Sequence, residues 1–173
     1  MENRRKIEVL PYDENWKIKY KKESTKVKNI LMDELISIHH IGSTSILNMS
    51  AKPIIDILVV VKDIKKVDTF NNDFKHLGYT PMGEYGIKKR RFFLKGKYNR
   101  THHIHIFEKG NFEINKHLNF RDFLRAHPTY LKRYADLKIE LSKKFPYDIE
   151  AYCKGKDPLI KKLTEKANKW AKK

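Results

Sequence analysis

A short stretch of the chain, HIGSTSILNMSAKPIIDILVVV from His40 to Val61, combines small hydroxyl residues with a lysine and a single carboxylate. The carboxylate, Asp56, lies inside an apolar run from Pro53 to Val61 that is rich in β-branched residues, and such a run predicts a strand covered on both faces. An unpaired carboxylate buried there costs several kcal/mol. The stretch therefore indicates a site in which Asp56 meets a cation or hydrogen-bond donors.

The residues just before this strand are suited to binding phosphate. Gly42 ends the preceding predicted strand and lets a ligand approach the backbone, while Ser43 and Thr44 add hydroxyl and amide donors for phosphate oxygens. An ordinary turn has the same composition, so the pattern alone leaves both interpretations open. His40 lies two residues before Gly42 and is, with Asp56, a candidate catalytic group, as a proton donor or base.

Two histidines of a later strand are candidate metal ligands. In the segment THHIHIFEKG, His103 and His105 alternate and should share one face, while Ile104 and Ile106 face the core. With Asp56 they would form a two-histidine, one-carboxylate set, which suits Zn²⁺, Mn²⁺ or Fe²⁺ better than Mg²⁺. The alternatives are a solvated strand face, or imidazoles that bind phosphate directly.

Basic residues at several places in the chain could neutralise a phosphate group. Arg121 and Arg125 are four residues apart on a predicted helix, as are Tyr134 and Lys138 on the next one. For Arg121 an ion pair with Asp122 is the alternative. The candidate phosphate ligands of this group are Lys52, Arg91, Arg121, Arg125 and Lys138.

These residues must be positioned by strands that come first in the chain and helices that come last. The apolar patterns predict strands at 7–12, 37–42, 53–61, 87–96 and 101–110, a helix that Asp13 caps, another over 63–78, and helices from Phe112 to Lys173. Residues 97–99 are predicted to turn between the last two strands. This order favours an α/β (α+β) protein with a mixed sheet covered by helices on one side and a helical C-terminal cap.

Composition narrows the class of protein and of partner. The 173 residues are enough for one core and contain no linker, so one domain over 1–173 is expected. One cysteine and no apolar leader favour a cytoplasmic protein, and no run is long enough to span a membrane. The net charge of +17 predicts anionic partners, such as nucleotides or nucleic acid, although lysine-rich helices also form ordinary solvated faces.

The Gly-Ser turn followed by an acidic strand resembles the signature of the nucleotidyltransferase fold, and more closely that of the GrpB family, whose members read close to HIGSTSVPGLAAKPIIDI here. The resemblance extends over most of the chain. It includes PYDENW at 11–16, Gly78-Tyr79, RRFF at 90–93, HHIHIF at 102–107, LNFRDFLRAHP at 118–128, and Tyr134 through Lys138. One departure is Leu47-Asn48, where relatives usually have Pro-Gly.

The resemblance implies nucleotidyltransferase architecture, in which the turn holds phosphate and carboxylates hold divalent metal (Mg²⁺, Mn²⁺ or Zn²⁺). A two-metal transferase places two carboxylates at alternate positions of one strand, and here the second position is Leu58. The sequence therefore predicts a protein that binds a nucleotide or another phosphorylated small molecule. It leaves open nucleotidyl transfer at Asp56, a binding module without catalysis, and a basic nucleic-acid-binding protein.

Overall fold

Within residues 6–97 and 99–173, which the computed structural model describes, five strands form one mixed sheet in the order β1-β2-β5-β4-β3. Strands β2 and β5 run parallel, and the other neighbouring pairs are antiparallel. The strands are β1 (Leu35–Ile41), β2 (Ile55–Val61), β3 (Tyr79–Pro81), β4 (Arg90–Lys95) and β5 (His102–Glu108). The central pair, β2 and β5, carries Asp56 and the two candidate histidines.

Helices pack on both faces of this sheet. The helices are α1 (Asn15–Leu31), α2 (Asn71–His76), α3 (Phe112–Ala126), α4 (Pro128–Lys144) and α5 (Ile149–Trp170). The main core joins α1 and α2 to one face of the sheet, while α3, α4 and α5 build a second core of their own. The predicted α+β architecture, a mixed sheet covered by helices with a helical C-terminal cap, is confirmed, but the helices lie on both faces of the sheet and not on one side as predicted.

The opposite faces of β2 have different roles because side chains alternate along a strand. Ile55 and Ile57 point into the main core, as do Ile104 and Ile106 of β5, which are fully buried as predicted. Asp56 points to the other face. There the start of the strand is open to a cleft, and further along, Leu58 packs under α3.

Several predicted boundaries change in the structure. The strand predicted at 7–12 was wrong: its backbone makes one isolated bridge, between Leu10 and Ala51. The helix predicted over 63–78 is a 3₁₀-helix, Lys65–Phe70, followed by α2. Strand β3 was missed because it has only three residues. The turn predicted at 97–99 lies partly outside the described residues.

The loop between β1 and β2 accommodates the departure noted at Leu47-Asn48. Asn48 has a φ of 62°, in the left-handed region that glycine adopts freely and asparagine tolerates better than other residues. The glycine of the family pattern is therefore replaced by the side chain that fits its backbone conformation best. None of the helices in the described ranges combines the length and apolar character needed to cross a membrane.

A buried carboxylate fastens α1 to the edge of the sheet. Glu23 is 4% exposed, and it accepts hydrogen bonds from the Tyr79 hydroxyl at 2.9 Å and the Lys95 ammonium at 2.6 Å. Burial alone would raise the pKa of Glu23, but the hydrogen bonds from Lys95 and Tyr79 outweigh it and the pKa lies below its usual value. The carboxylate is therefore ionised when it joins β3 and β4 to α1.

Replacing Glu23 by alanine should lower the free energy of unfolding by about 2–3 kcal/mol, because a buried hydroxyl and a half-buried ammonium lose their acceptor. Urea denaturation followed by circular dichroism measures it. Asp136→Ala, which removes an exposed ion pair with Lys132, is the control and should change stability by less than about 0.5 kcal/mol. Equal effects of the two substitutions would show that the buried cluster contributes no special stability.

Candidate functional site

The carboxylate of Asp56 meets both candidate histidines on the open face of the sheet. Parallel pairing of β2 with β5 places Asp56 beside His103, and the His103 Nδ1 lies 3.2 Å from Asp56 Oδ1. The Nε2 of His105 lies 3.5 Å from the same oxygen. The structure thus brings together the three residues that the sequence predicted as metal ligands.

A neighbouring arginine determines how His105 is protonated. Arg90 Nη1 lies 3.4 Å from His105 Nδ1, and because a guanidinium only donates, this nitrogen must be the acceptor. The hydrogen of the neutral ring is then on Nε2, which faces Asp56. Burial lowers the pKa of His105 and keeps the ring neutral. The imidazole therefore relays a hydrogen bond from Arg90 to the carboxylate.

Hydrogen bonds, and not burial, determine the charge of Asp56. Burial acts to raise the pKa of this carboxyl, but the hydrogen bonds from His103 and His105 outweigh it and hold the pKa well below its usual range. The carboxylate is therefore ionised at neutral pH. The sequence predicted that Asp56, as a carboxylate in an apolar strand, would have a cation or hydrogen-bond donors as partners. The structure shows that these partners are the imidazoles of His103 and His105.

Gly42 makes room for this carboxylate. Its φ is +69°, and a Cβ atom at this position would lie 2.6 Å from Asp56 Oδ2. Both the backbone conformation and the close approach exclude a larger residue. Gly42 is thus required by a neighbouring side chain of the protein, in addition to any role in admitting a ligand.

Beside this carboxylate lies a cleft of about 200 Å³, here called the lysine cleft. Its wall includes Gly42, Ser43, Asp56 and His103 from the sheet side, and Lys52, Tyr134, Lys138, Tyr152 and Lys156 from the loop and the C-terminal helices. Among the described residues that line it, Asp56 is the one acidic residue. The cleft is therefore predominantly cationic.

Lys138 is the most buried of these lysines, with 3% of its surface exposed. Its ammonium donates to Ser43 Oγ at 2.8 Å and to the backbone oxygen of Ser50. Burial, together with repulsion from Lys156 and Lys52, lowers the pKa of Lys138 to about 7. An ammonium has three donors, so the two contacts leave Lys138 one further hydrogen for an anion in the cleft.

Two tyrosine-lysine pairs with the same spacing supply the helical wall. Lys138 lies 4.7 Å from the ring centre of Tyr134 on α4, and Lys156 lies 4.4 Å from that of Tyr152 on α5. Gly155 brings α5 close to α4, because a Cβ there would lie 2.6 Å from Leu141 Cδ2. Sequence reasoning missed Lys156 and Tyr152. The repeated tyrosine-x₃-lysine spacing was the signal that could have revealed them.

The structure places His40 away from the lysine cleft, whereas Thr44 lines the cleft with its hydroxyl bonded to His40 and to the backbone oxygen of Ile54. His40 is on the opposite face of the sheet from Asp56, where its ring stacks on Tyr20 at 4.6 Å. Burial lowers the pKa of His40 to about 4, and its Nε2 lies 2.9 Å from the Thr44 hydroxyl. Thr44 is 1% exposed. This pair stabilises the turn from the α1 side, so His40 does not line the cleft, and its catalytic role stays a prediction.

The predicted arginines also contact other parts of the protein. Arg91 forms two hydrogen bonds with Asp68, at 2.6 and 2.8 Å, on the α2 side of the sheet. It was predicted as a phosphate ligand because it precedes the histidine strand, but alternation turns Arg90, and not Arg91, toward Asp56.

Two arginines of α3 donate hydrogen bonds to the backbone on either side of the turn at residues 42–44, from outside the cleft. Arg121 donates to Asp122 at 2.7 Å and to the backbone oxygen of His40 at 3.1 Å, so the ion-pair alternative for Arg121 is observed. Arg125 donates to the backbone oxygen of Ser45 at 2.7 Å. They hold the turn to α3 and do not line the cleft.

The donor set does not fit the two-metal centre that the resemblance implies. The position of the second carboxylate is Leu58, which is fully buried. The two imidazole nitrogens nearest Asp56 carry hydrogens directed at the carboxylate, so they present no lone pair to a cation. Across residues 6–97 and 99–173, no group of three or more His, Cys, Asp and Glu side chains has an arrangement that could hold a metal ion.

Comparison with known sequences places the chain in a family. The family model described as GrpB protein matches residues 6–166. UPF0157 protein YqkA of Bacillus subtilis is 49% identical over 169 residues, covering 98% of this chain and 49% of YqkA. The chain thus spans about half the length of that relative. Glutamate-rich protein GrpB of Alkalihalophilus pseudofirmus is 34% identical over 166 residues, covering 93% of this chain and 95% of the relative.

A solved structure agrees with this result. The crystal structure of conserved protein GrpB from Enterococcus faecalis superposes with a TM-score of 0.94 at 41% identity, over 96% of this chain and 100% of that chain. Sequence and fold therefore agree over almost the whole length, and the chain belongs to the GrpB protein family.

Proposed function

We propose that the lysine cleft binds the phosphate group of a phosphorylated small molecule. The observation that carries the proposal is the convergence of Lys52, Lys138 and Lys156 on a cleft in which the single carboxylate, Asp56, is already hydrogen-bonded. Charge-assisted hydrogen bonds from ammonium groups to phosphate are among the strongest polar contacts in proteins. The cleft supplies positive charge, and Lys138 has a spare hydrogen-bond donor.

The size of the cleft supports a phosphate group and not a whole nucleotide. Its volume of about 200 Å³ is below the range of roughly 300–1,000 Å³ that small-molecule pockets usually occupy. A phosphate seated against Ser43 and Lys138 would leave the rest of the ligand to extend out of the cleft. The proposal therefore concerns the anchoring end of a larger molecule.

The residues favour binding without a two-metal transfer reaction. Nucleotidyl transfer by two metals needs carboxylates that bridge the cations, and Leu58 stands where the second is needed. The imidazoles of His103 and His105 hydrogen-bond to the Asp56 carboxylate and hold it in one position beside the lysines. A phosphorylated ligand would then be held by lysine ammonium groups. Asp56 would stabilise the arrangement of the site and would not coordinate a metal.

The first test removes the most buried lysine. Lys138→Met should weaken binding of inorganic phosphate by roughly 10- to 100-fold, because a charge-assisted hydrogen bond of about 1.5–3 kcal/mol is lost. Isothermal titration calorimetry measures the affinity. Lys143→Met removes one exposed charge from the same helix and is the matched control, which should bind as the unsubstituted protein does.

Two results would contradict the proposal. Equal loss in the Lys138 and Lys143 variants would indicate general attraction of anions to a basic surface, which salt screens. A requirement for Mg²⁺, Mn²⁺ or Zn²⁺, abolished by a chelator, would instead restore the metal site predicted from Asp56, His103 and His105.

The second test uses pH. Because the pKa of Lys138 is about 7 without ligand, an anion that needs the protonated amine must take up a proton above that pH. Sulfate keeps the same charge from about pH 6 to about pH 9, and its affinity should be constant below about pH 7 and fall by up to about tenfold per unit above it. In Lys138→Met this dependence should vanish. A profile that is unchanged by the substitution would exclude Lys138 as the titrating group.

A further inference from the structure

A second and larger cavity opens from the lysine cleft, and Lys52, Ile54 and His103 line both. Its volume is about 650 Å³. Its remaining wall is formed by Lys6, Ile7, Tyr85, Leu94, Lys97, Arg100, Tyr147, Ile149 and Cys153. Because the two spaces share wall residues, a ligand anchored in the cleft would extend into this cavity.

Three large hydrophobic side chains of the cavity wall are more than half exposed to solvent. Tyr85, Tyr147 and Ile149 are 57%, 55% and 54% exposed, although large apolar side chains normally avoid water. They come from separate parts of the chain, the loop before β4 and the connection that leads into α5. Their convergence on one cavity leaves an apolar surface that a ligand would cover.

Tyr85 is held in place by Arg90, which also contacts His105 next to Asp56. Its φ is 44°, an uncommon conformation for a bulky residue, and its backbone oxygen accepts a hydrogen bond of 2.6 Å from Arg90. Its ring stacks on Phe92 with the ring centres 5.4 Å apart, and Phe92 in turn contacts His105 at 4.9 Å. An exposed aromatic ring in a strained, braced backbone is typical of a binding surface.

The charge of the cavity matches the charge of the cleft. Among the described residues that line the cavity none is Asp or Glu, whereas Lys6, Lys52, Lys97 and Arg100 are basic. An apolar floor with a basic rim favours a ligand that is both flat or apolar and anionic. A phosphorylated sugar would satisfy the rim and leave the tyrosines uncovered.

We infer that this cavity receives a planar aromatic ring carried by the phosphorylated ligand, with Tyr147 and Tyr85 as its stacking surfaces. The inference rests on the proposed phosphate site, and it narrows the ligand to an aromatic phosphate. Aromatic rings of ligands stack on tyrosine in a manner that depends little on ring substituents. The ring therefore provides affinity, and the phosphate determines the orientation.

The test compares phosphates with and without a ring. Ribose 5-phosphate carries no ring system, phenyl phosphate carries the simplest one, and adenosine monophosphate carries a purine. Calorimetry should show that the two aromatic compounds bind at least about tenfold more tightly than ribose 5-phosphate. Tyr147→Ala should remove this difference and leave ribose 5-phosphate binding unchanged, whereas Tyr147→Phe, the matched control, keeps the ring and should keep the difference.

The single cysteine of the chain gives an independent readout. Cys153 is exposed and lines the larger cavity, so its alkylation by N-ethylmaleimide reports on occupancy. Phenyl phosphate should slow the reaction, and inorganic phosphate, confined to the cleft, should not. Phenyl phosphate binding that leaves the alkylation rate unchanged would place the ring elsewhere and overturn the inference.

The outcomes separate the two proposals. If ribose 5-phosphate and phenyl phosphate bind equally well and both need Lys138, the ring inference is overturned while the phosphate site stands. If none of the phosphates binds, both are overturned. If adenosine monophosphate binds far more tightly than phenyl phosphate, the ring belongs to a nucleotide, and the inference holds with the source identified.

Discussion

The contact between Gly42 and the carboxylate of Asp56 is the constraint on which the rest of the site depends. A side chain at position 42 would meet Asp56 Oδ2 at 2.6 Å, so the turn and the carboxylate can share this space only because Gly42 has no Cβ. The turn then places Ser43 beside the lysine cleft. The same contact thus fixes both the position of the Asp56 carboxylate and the position of Ser43 in the wall of the lysine cleft.

The Asp56 carboxylate and the ammonium group of Lys138 have different hydrogen-bond partners. Asp56 is bound by imidazoles of β5, which Arg90 supports through His105. The lysines come from the loop before β2 and from α4 and α5, and Lys138 bonds to neutral oxygens of Ser43 and Ser50. The Asp56 carboxylate therefore has hydrogen-bond partners other than the ammonium groups, and three lysines face this single acidic group among the described residues that line the cleft. The proposed attraction for anions rests on this excess of positive charge.

Membership of the GrpB family and a shared fold do not by themselves define a reaction, because one fold supports many activities. What distinguishes this chain is the set of side chains at the open face of the sheet. The buried Leu58 and the imidazole pair lack the donors of a two-metal centre, while the tyrosine-lysine pairs of α4 and α5 bring ammonium groups and aromatic rings to the cleft. The proposed recognition of an anion rests on these side chains.

The sequence by itself determined the local features of this protein. The apolar run of β2, the alternation of β5 and the glycine of the turn are properties of neighbouring residues, and they were sufficient to predict that Asp56, His103 and His105 share a face. They also predicted a mixed sheet with a helical cap, since short strands come first and long amphipathic helices last. The sequence likewise indicated that Lys138 and Tyr134 lie on one side of a helix, because they are four residues apart.

Only the tertiary structure decided which charged residues meet. Lys156 lies on α5, more than a hundred positions after Ser43, and its local spacing from Tyr152 does not show that it reaches the same cleft as Ser43. Arg91 was predicted as a phosphate ligand and Arg90 was missed, because the face that each of these neighbours occupies depends on the register of β4 against β5, and a shift of one residue exchanges the two faces. His40 likewise lies on the α1 side of the sheet because the pairing of β1 with β2 places it opposite Ile57. Long-range packing determines which of many similar side chains reach the site, since local spacing fixes the direction of a side chain only relative to its own element.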